Sequence, residues 1–472
     1  VHTVNNKRVH GRKIRIARNE EAPMLNFELS PNQLELQQKT REFALREVLP
    51  VAWYFDEKDD IPLSVLRKAY DEGLMNNDIP KKYGGNEYGI LEGAIMTEEI
   101  AAACPGLATS LFDNSLGMEP LILCTNEVLK EKYLPKLLKE FKLICFATSE
   151  PVMGSDVAGI RCEAERDGDG YILNGTKYWI TNGGVADYIS VFATADPKSG
   201  HEGICAFLVE KSWDGVSAGK TIPKLGQRCS NTVGLNFKNV RVPEENVLAP
   251  PGEGFLLAMK TFSRTRPVVG AFGVGGARSA MEYAIDYAKK RRAFGSKIGD
   301  FQAVQFKIAE MYQKVETARL LVWKAAWEAD KGLDPTINAS IAKFYATEKA
   351  LEVVNEALQI LGGYGYTKMF PLEKLFRDIR LLRIYEGTSE IQRMIVSGHA
   401  MYTYQPVMPS LEDLPIFREK DPLDPDTGGE IKPAWRCRMC GHMHHGQDPP
   451  EECPYCFFPQ TTFKKIWPAE ET

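Results

Sequence analysis

Four of the ten cysteines stand as two Cys-x-x-Cys pairs, Cys437-Arg-Met-Cys440 and Cys453-Pro-Tyr-Cys456, twelve residues apart. That spacing places four thiolates tetrahedrally around one ion, and a tetrahedral sulfur set suits zinc and iron alike. So small a module cannot bury enough apolar area to fold alone, so the metal supplies folding free energy, on the order of 10 kcal/mol. Trp435, Phe457, Phe463 and Trp467 are expected to pack around it. A pair of disulfides is the competing use of these thiols; four thiolates complete a site, so His442, His444 and His445 are expected in solvent. The second chemical candidate is a carboxylate, Glu386, in Ile384-Tyr385-Glu386-Gly387-Thr388-Ser389-Glu390-Ile391-Gln392-Arg393. Ser389 to Gln392 fits a capping box, which puts Glu386 in a loop just before the positive end of a helix. Beside an apolar pocket such a carboxylate serves as a general base, its pKa raised by desolvation; otherwise it is one more loop acid, and spacing alone does not choose. Two glycine strings fail as nucleotide loops: Gly273-Val-Gly275 is followed by Arg278, and Gly363-Tyr-Gly365 by Lys368, where the dinucleotide motif needs glycine.

These residues require elements to position them. Ser30-Pro31-Asn32-Gln33 reads as an N-cap, a Pro at the first helical position and a capping-box Gln, opening a helix that Pro50 ends. Helix-like spacing continues to about residue 145, with breaks at Gly84-Gly85 and Pro105-Gly106. Strand texture follows: Tyr171 to Leu173, a turn at Asn174-Gly175, Thr176 to Ile180, a turn at Asn182-Gly183-Gly184, then Ile204 to Val209 and Gly234 to Val242. After about 258 helix returns, and Val304, Ile308, Met311, Val315, Ala318, Val322, Ala325 and Ala329 share one face as bundle core. The expected fold is therefore α+β and multidomain. It comprises a basic arm (1–23), an N-terminal helical domain (24–145), a central antiparallel β domain (146–258), a C-terminal helical bundle (259–402), a Pro-rich linker (403–433) and the four-cysteine knuckle (434–472).

Composition is that of a globular chain: 472 residues, 44% hydrophobic and 26% charged, with 58 Lys and Arg against 63 Asp and Glu. A net charge of -5 offers no global basic field for nucleic acid or an anionic membrane, and no apolar run suffices to span a bilayer. The first 23 residues carry six Lys or Arg and no acid before Glu20, but no apolar core of a secretory signal. Cys104, Cys124, Cys145, Cys162, Cys205 and Cys229 have no motif spacing and read as reduced core thiols, which favours a cytoplasmic setting.

The C-terminal knuckle resembles the rubredoxin domain of rubrerythrins, through Cys-x-x-Cys-Gly, Pro449-Pro450, Cys-Pro-x-Cys and a later Phe. The resemblance favours iron over zinc; Phe457 departs from the Gly that many rubredoxins carry after the last Cys. Residues 24 to 401 resemble the acyl-CoA dehydrogenase family. Five segments carry the likeness: Phe146-Ala-Thr-Ser-Glu150-Pro-Val-Met-Gly154-Ser155-Asp156, Tyr178-Trp179-Ile180-Thr181-Asn182-Gly183, Arg291-Arg-Ala-Phe294-Gly295, Gln359-Ile-Leu-Gly362-Gly363, and the Glu386 segment.

That family implies a helical domain, a β domain and a four-helix bundle, usually as a homotetramer with one FAD per subunit. Glu386 falls at its catalytic-base position: a thioester carbonyl held by two hydrogen bonds acidifies the α-proton, Glu386 removes it, and hydride passes from the β-carbon to the flavin, giving a trans-2-enoyl-CoA. Phe146, Thr148, Ser149 and Ser155 match the loop passing flavin and CoA, and Trp179 and Thr181 match residues beside the isoalloxazine. Arg291, Phe294 and Gln302 match positions where a neighbouring subunit grips the FAD, and Gln359, Gly362 and Gly363 its pyrophosphate loop. Thr388 and Glu390 match FAD contacts; Tyr385 and Gly387 are expected to flank the thioester, and Arg266 and Ser155 to contact the substrate. Val152-Met153 replaces a frequent Gly-Ala, Ser263 a frequent Asp, and no Arg for a distal carboxylate occurs at Gly106-Leu107-Ala108, which disfavours dicarboxylic substrates.

The expected activity is FAD-dependent α,β-dehydrogenation of an acyl-CoA, with electrons leaving through the iron knuckle, an electron-transfer flavoprotein or another redox protein. The alternatives are an enoyl-CoA reductase running in reverse, an oxidase or monooxygenase on the same fold, and a dehydrogenase whose tail is a redox-inert zinc docking module.

Overall fold

The computed structural model describes residues 27–408 and 434–467. The basic arm, the proposed start at Met24 and most of the Pro-rich linker lie outside the described residues. The chain divides after Gly398 into two compact units.

In the first unit, α1 (Pro31–Phe43) opens with a reciprocal cap: Ser30 Oγ accepts from the Gln33 N–H, and Gln33 Oε1 accepts from the Ser30 N–H. Pro50 does not end the helix, contrary to the sequence expectation. A π-helical turn, Ala44–Val48, leads directly into α2 (Leu49–Lys58), and Pro50 sits in the first turn of α2, where its missing N–H is least costly. There follow α3 (Leu63–Asp71), α4 (Ile90–Ala103), α5 (Pro105–Leu123) and α6 (Glu127–Lys139). Extended Cys104 and Pro105 break α4 from α5 as expected, and α5 is buried along most of its length.

The sheet comprises β1 (Ile144–Ala147), β2 (Glu163–Asp167), β3 (Gly170–Thr181), β4 (Tyr188–Thr194), β5 (Ile204–Glu210), β6 (Val216–Ala218), β7 (Thr232–Pro243) and β8 (Val247–Ala249), in the order β6-β7-β3-β2-β4-β5-β8 with β1 against β4. It is antiparallel except for β1 on β4 and one pairing of β2 with β4. Asn174-Gly175 is not a turn. It lies inside β3 at a shift of register against β7, and the β2–β3 hairpin turns instead between Asp167 and Gly170. Gly175 has φ 149°, and a Cβ there would meet the Cys162 Cα at 2.7 Å, so this glycine serves a bulge and a close approach.

Helix then resumes: α7 (Gly254–Lys290), a small ribbon of β9 (Arg292–Ala293) and β10 (Ser296–Lys297), α8 (Gln302–Asp330), α9 (Thr336–Leu361), α10 (Leu372–Arg380) and α11 (Ser389–Tyr402). Helices α7, α8 and α9 pack on one another, and α4 packs on α7 and α8. The α8 stripe is buried from Met311 to Ala329. Gly273 lies within α7, where a Cβ would meet the Ala346 carbonyl of α9 at 2.9 Å; the string is a helix-packing device.

The second unit holds β11 (Ala434–Cys437), β12 (Met443–His445) and β13 (Phe463–Trp467), antiparallel in the order β12-β11-β13. Trp435, Cys437, Cys453, Cys456 and Phe463 cluster. Phe457 does not join them: it is 74% exposed, at φ 57°, a left-handed backbone that suits the glycine it replaces. The side chain of Trp467 lies outside the described residues.

Candidate active site and metal centre

A cavity of about 390 Å³ opens where α5, the sheet, α7 and the loop before α11 meet. The loop after β1 supplies Thr148, Ser149 and Ser155, and β3 supplies Trp179 and Thr181. A buried ion pair fixes that loop: Lys177 Nζ lies 2.7 Å from Glu150 Oε1 and 2.9 Å from the Thr148 carbonyl, and Glu150 also accepts from the Arg161 and Cys162 N–H groups. The Tyr178 N–H donates to the Ser149 carbonyl at 2.8 Å. Trp179, at φ 63° and 57% exposed, presents its indole on the cavity side.

Glu386 closes one wall, held in the left-handed region at φ 52°. A non-glycine residue there is strained and is maintained by its surroundings. Gln392 Nε2 donates to the carbonyls of Glu386 and Gly387, and Lys343 Nζ donates to the Gly387 carbonyl at 2.7 Å. Thr265 Oγ1 donates to Glu386 Oε2 at 2.6 Å. Burial pushes the Glu386 carboxyl up to about 7, against the lowering pull of Thr265, Lys343 and Arg266. Burial likewise lowers Lys343 to about 7 and Arg266 to about 10. The Tyr385 hydroxyl, raised by burial, lies 3.4 Å from Thr109 Oγ1, which donates to Gln227 Oε1. A carboxylate titrating near neutrality in a largely apolar cavity is equipped to take a proton from carbon at physiological pH.

The helix cap differs from expectation. Thr388 Oγ1, one residue earlier than Ser389, accepts from the Ile391 N–H, while the buried Ser389 hydroxyl lies by Glu348 and does not cap the helix. Gln392 turns back to the Glu386 loop rather than completing a capping box.

Of the residues singled out from sequence, Phe146, Thr148, Ser149, Ser155, Trp179, Thr181, Arg266, Tyr385, Glu386 and Gly387 line this one cavity. Thr388 and Glu390 begin α11 beside it without lining it. Arg291, Gly362 and Gly363 line a separate hollow with Tyr287 and Tyr364, and the Arg291 guanidinium lies 6.0 Å from the Tyr364 ring centre. Phe294, 97% exposed, and Gln302 and Gln359 border neither space. Sequence reasoning missed Thr265, Lys343 and Asp113. Lys343 did leave a signal, a lone cation among Ala339, Ala342, Ala346 and Ala350 on the buried stripe of α9.

In the second unit the four Sγ atoms of Cys437, Cys440, Cys453 and Cys456 lie within 4.8 Å of one another, with two pairs at 3.6 Å. A tetrahedral site with metal–sulfur bonds of ~2.3 Å needs sulfurs roughly 3.8 Å apart. The thiols fit one ion, and zinc and iron fit equally.

Comparison with known proteins agrees with this arrangement. Family models described as the acyl-CoA dehydrogenase N-terminal, middle and C-terminal domains match residues 30–140, 145–240 and 252–401, and one described as the rubrerythrin, rubredoxin-like domain matches 435–464. The chain is 38% identical over 376 residues, 79% of its length and 91% of the relative's, to a probable medium-chain specific acyl-CoA dehydrogenase of Caenorhabditis briggsae. Among solved structures it is similar to butyryl-CoA dehydrogenase from Megasphaera elsdenii, at TM-score 0.78 and 35% identity, covering 80% of this chain and all of that one. A chain solved in work on the electron transferring flavoprotein of Acidaminococcus fermentans matches at TM-score 0.78 and 36% identity, with 80% and 100% covered.

Proposed function

The chain belongs to the acyl-CoA dehydrogenase family and carries a rubredoxin-like domain, and from that premise we propose that it dehydrogenates an acyl-CoA thioester to the trans-2-enoyl-CoA, with Glu386 as the base. The observation that carries the proposal is Glu386 itself, raised to about 7 at the wall of the cavity, with Thr265 on Oε2 and no hydrogen bond on Oε1 among the described residues. Oε1 is thus free to accept the α-proton.

The family implies FAD, and the cavity offers what a flavin needs. Thr148 Oγ1 and Arg266 Nε are buried without a partner, and the Trp179 indole faces the same space. Phe146, Thr148, Ser149, Trp179 and Thr181 would hold it, with Thr388 and Glu390 adjoining. When bound, the flavin supplies the acceptor for the β-hydride. The aromatic and thioether wall of Phe146, Phe255, Met259 and Phe262 excludes water from the acyl chain, and Tyr385, Gly387, Arg266 and Ser155 border the thioester. Arg291, Phe294, Gln302, Gln359, Gly362 and Gly363, away from this cavity, would serve the FAD of a neighbouring copy in a homotetramer.

Cys437, Cys440, Cys453 and Cys456 would hold an iron ion, which when bound would supply a one-electron acceptor for the reduced protein; the rubredoxin-like domain supports that route beside an external electron-transfer flavoprotein. The test is an anaerobic titration of the metal-analysed protein with butyryl-CoA and longer acyl-CoAs, in wild type and Glu386→Gln. Bleaching of the flavin and then of ferric-thiolate absorption, both lost in the variant, supports the whole scheme. Zinc in the tail leaves the catalytic assignment and makes the tail a docking element. No bleaching by any saturated ester sinks the dehydrogenase reading, and oxidation of the reduced protein by enoyl-CoAs would replace it with a reductase.

A further inference from the structure

Thr109, Phe112, Asp113 and Leu116 occupy one face of α5 at helical spacing, and all four line the cavity that holds Glu386. Asp113 is anomalous there. It is 4% exposed, its side chain makes no hydrogen bond among the described residues, and its Oδ2 is buried without a partner. The buried carboxylates Asp56, Glu98, Glu99, Glu119, Glu150 and Asp378 each have an Arg or Lys within ion-pair distance, and Glu386 in the same cavity has the Thr265 hydroxyl; Asp78, whose Oδ1 is also unpartnered, lies outside this cavity. An unpartnered acid in an apolar wall costs stability and is retained where something else completes it. It shares the cavity lining with Phe112, Leu116 and Phe146, and Glu386 is near enough to act on its charge.

We infer that Asp113 is a specificity-determining residue, hydrogen-bonding a polar donor, a hydroxyl or an ammonium, on the alkyl portion of the acyl thioester. The inference rests on the dehydrogenase reading and narrows its substrate class from plain alkyl chains to chains bearing such a donor. Burial and Glu386 both hold the Asp113 carboxyl well above the usual carboxylate range. A neutral acid exchanges hydrogen bonds with a hydroxyl, whereas an ammonium would draw it into the ionised form. A site built around a polar partner rejects the analogue that lacks it, because the buried group is then left unpaired.

The test measures kcat/KM for anaerobic flavin reduction in the full-length holoenzyme, using ω-hydroxy- and ω-amino-acyl-CoAs of four to six carbons against their methyl-terminated isosteres. One polar series should exceed its isosteres by about 100-fold in wild type, and Asp113→Ala should erase that ratio. Asp113→Asn, which preserves shape, guards against misfolding; it should keep a hydroxyl preference in part and lose an ammonium preference altogether. Alkyl esters equal to or better than both polar series, or a ratio unchanged in Asp113→Ala, overturns the inference while leaving the dehydrogenase reading intact. Failure of every ester, butyryl-CoA included, overturns both.

Discussion

At the scale of single residues, Glu386 is a balance of opposed effects. Burial raises its pKa, while a hydroxyl and two cations pull it down, and the result near 7 makes the carboxyl half ionised at neutral pH. Because the ionised form is the one that takes a proton, kcat/KM should rise with pH up to about 7 and fall roughly tenfold per unit below it, checked by a pH series of flavin-reduction rates. Glu386→Gln should slow reduction by about two to four orders of magnitude. Lys343 acts through the base: its cation favours the carboxylate, and its Nζ ties down the Gly387 carbonyl. Lys343→Met should therefore move the acidic limb of that pH profile upward, whereas a purely structural role would lower the rate without moving the limb. Glu386 stood out in the sequence only through the segment around it. Lys343 was not singled out, although a charge on an apolar stripe marks it, and Thr265 gave no signal beyond its position before Arg266.

At the scale of elements, the cavity wall of Thr148, Ser149 and Trp179 depends on β3 holding the loop that follows β1. Lys177 and Glu150 lie far apart in sequence and meet in the interior, and removing one partner strands the other. Lys177→Met should cost about 3–5 kcal/mol in urea unfolding, and pairing it with Glu150→Gln should recover part of that loss, as a double-mutant cycle would show. The elements themselves were largely legible: the Ser30–Gln33 cap, the α8 stripe and the break at Pro105 follow from local chemistry. Three local signals misled. Pro50 fell in the first turn of α2 after a π-turn, Asn174-Gly175 in a bulge, and the cap before α11 slipped from Ser389 to Thr388. Pro50 meets no penalty in a first helical turn, and the other two are local preferences of about 1 kcal/mol or less that the surrounding structure overrides.

At the scale of the whole molecule, the metal unit and the catalytic unit are separable experiments. Stripping metal from the full-length protein with a chelator should expose residues 434–467 to proteolysis, because so small a core, Trp435, Phe463 and the cysteines, does not hold without its ion. Flavin reduction by butyryl-CoA should survive that treatment, read in the same absorption spectrum. If Arg291 serves a neighbouring copy, Arg291→Ala should lower the FAD content of a protein that sediments as a tetramer, while leaving the Glu386 cavity unchanged. Among the described residues no helix is long and apolar enough to cross a membrane.

Local spacing alone carried the helical, β, helical succession, the four metal thiols and the loop acid before α11. Each is a relation between residues near one another in the chain, and the physics that enforces it, helical pitch, caps and ligand spacing, acts over the same short range. Which polar groups are desolvated together is legible only in the folded chain. Thr265, Lys343 and Glu386 come from two helices and a loop, and Asp113 from a fourth element, so their partners, or the lack of one, appear only once the chain has closed around the cavity. Desolvation and Coulomb coupling depend on that closure, and they set the chemistry of this site.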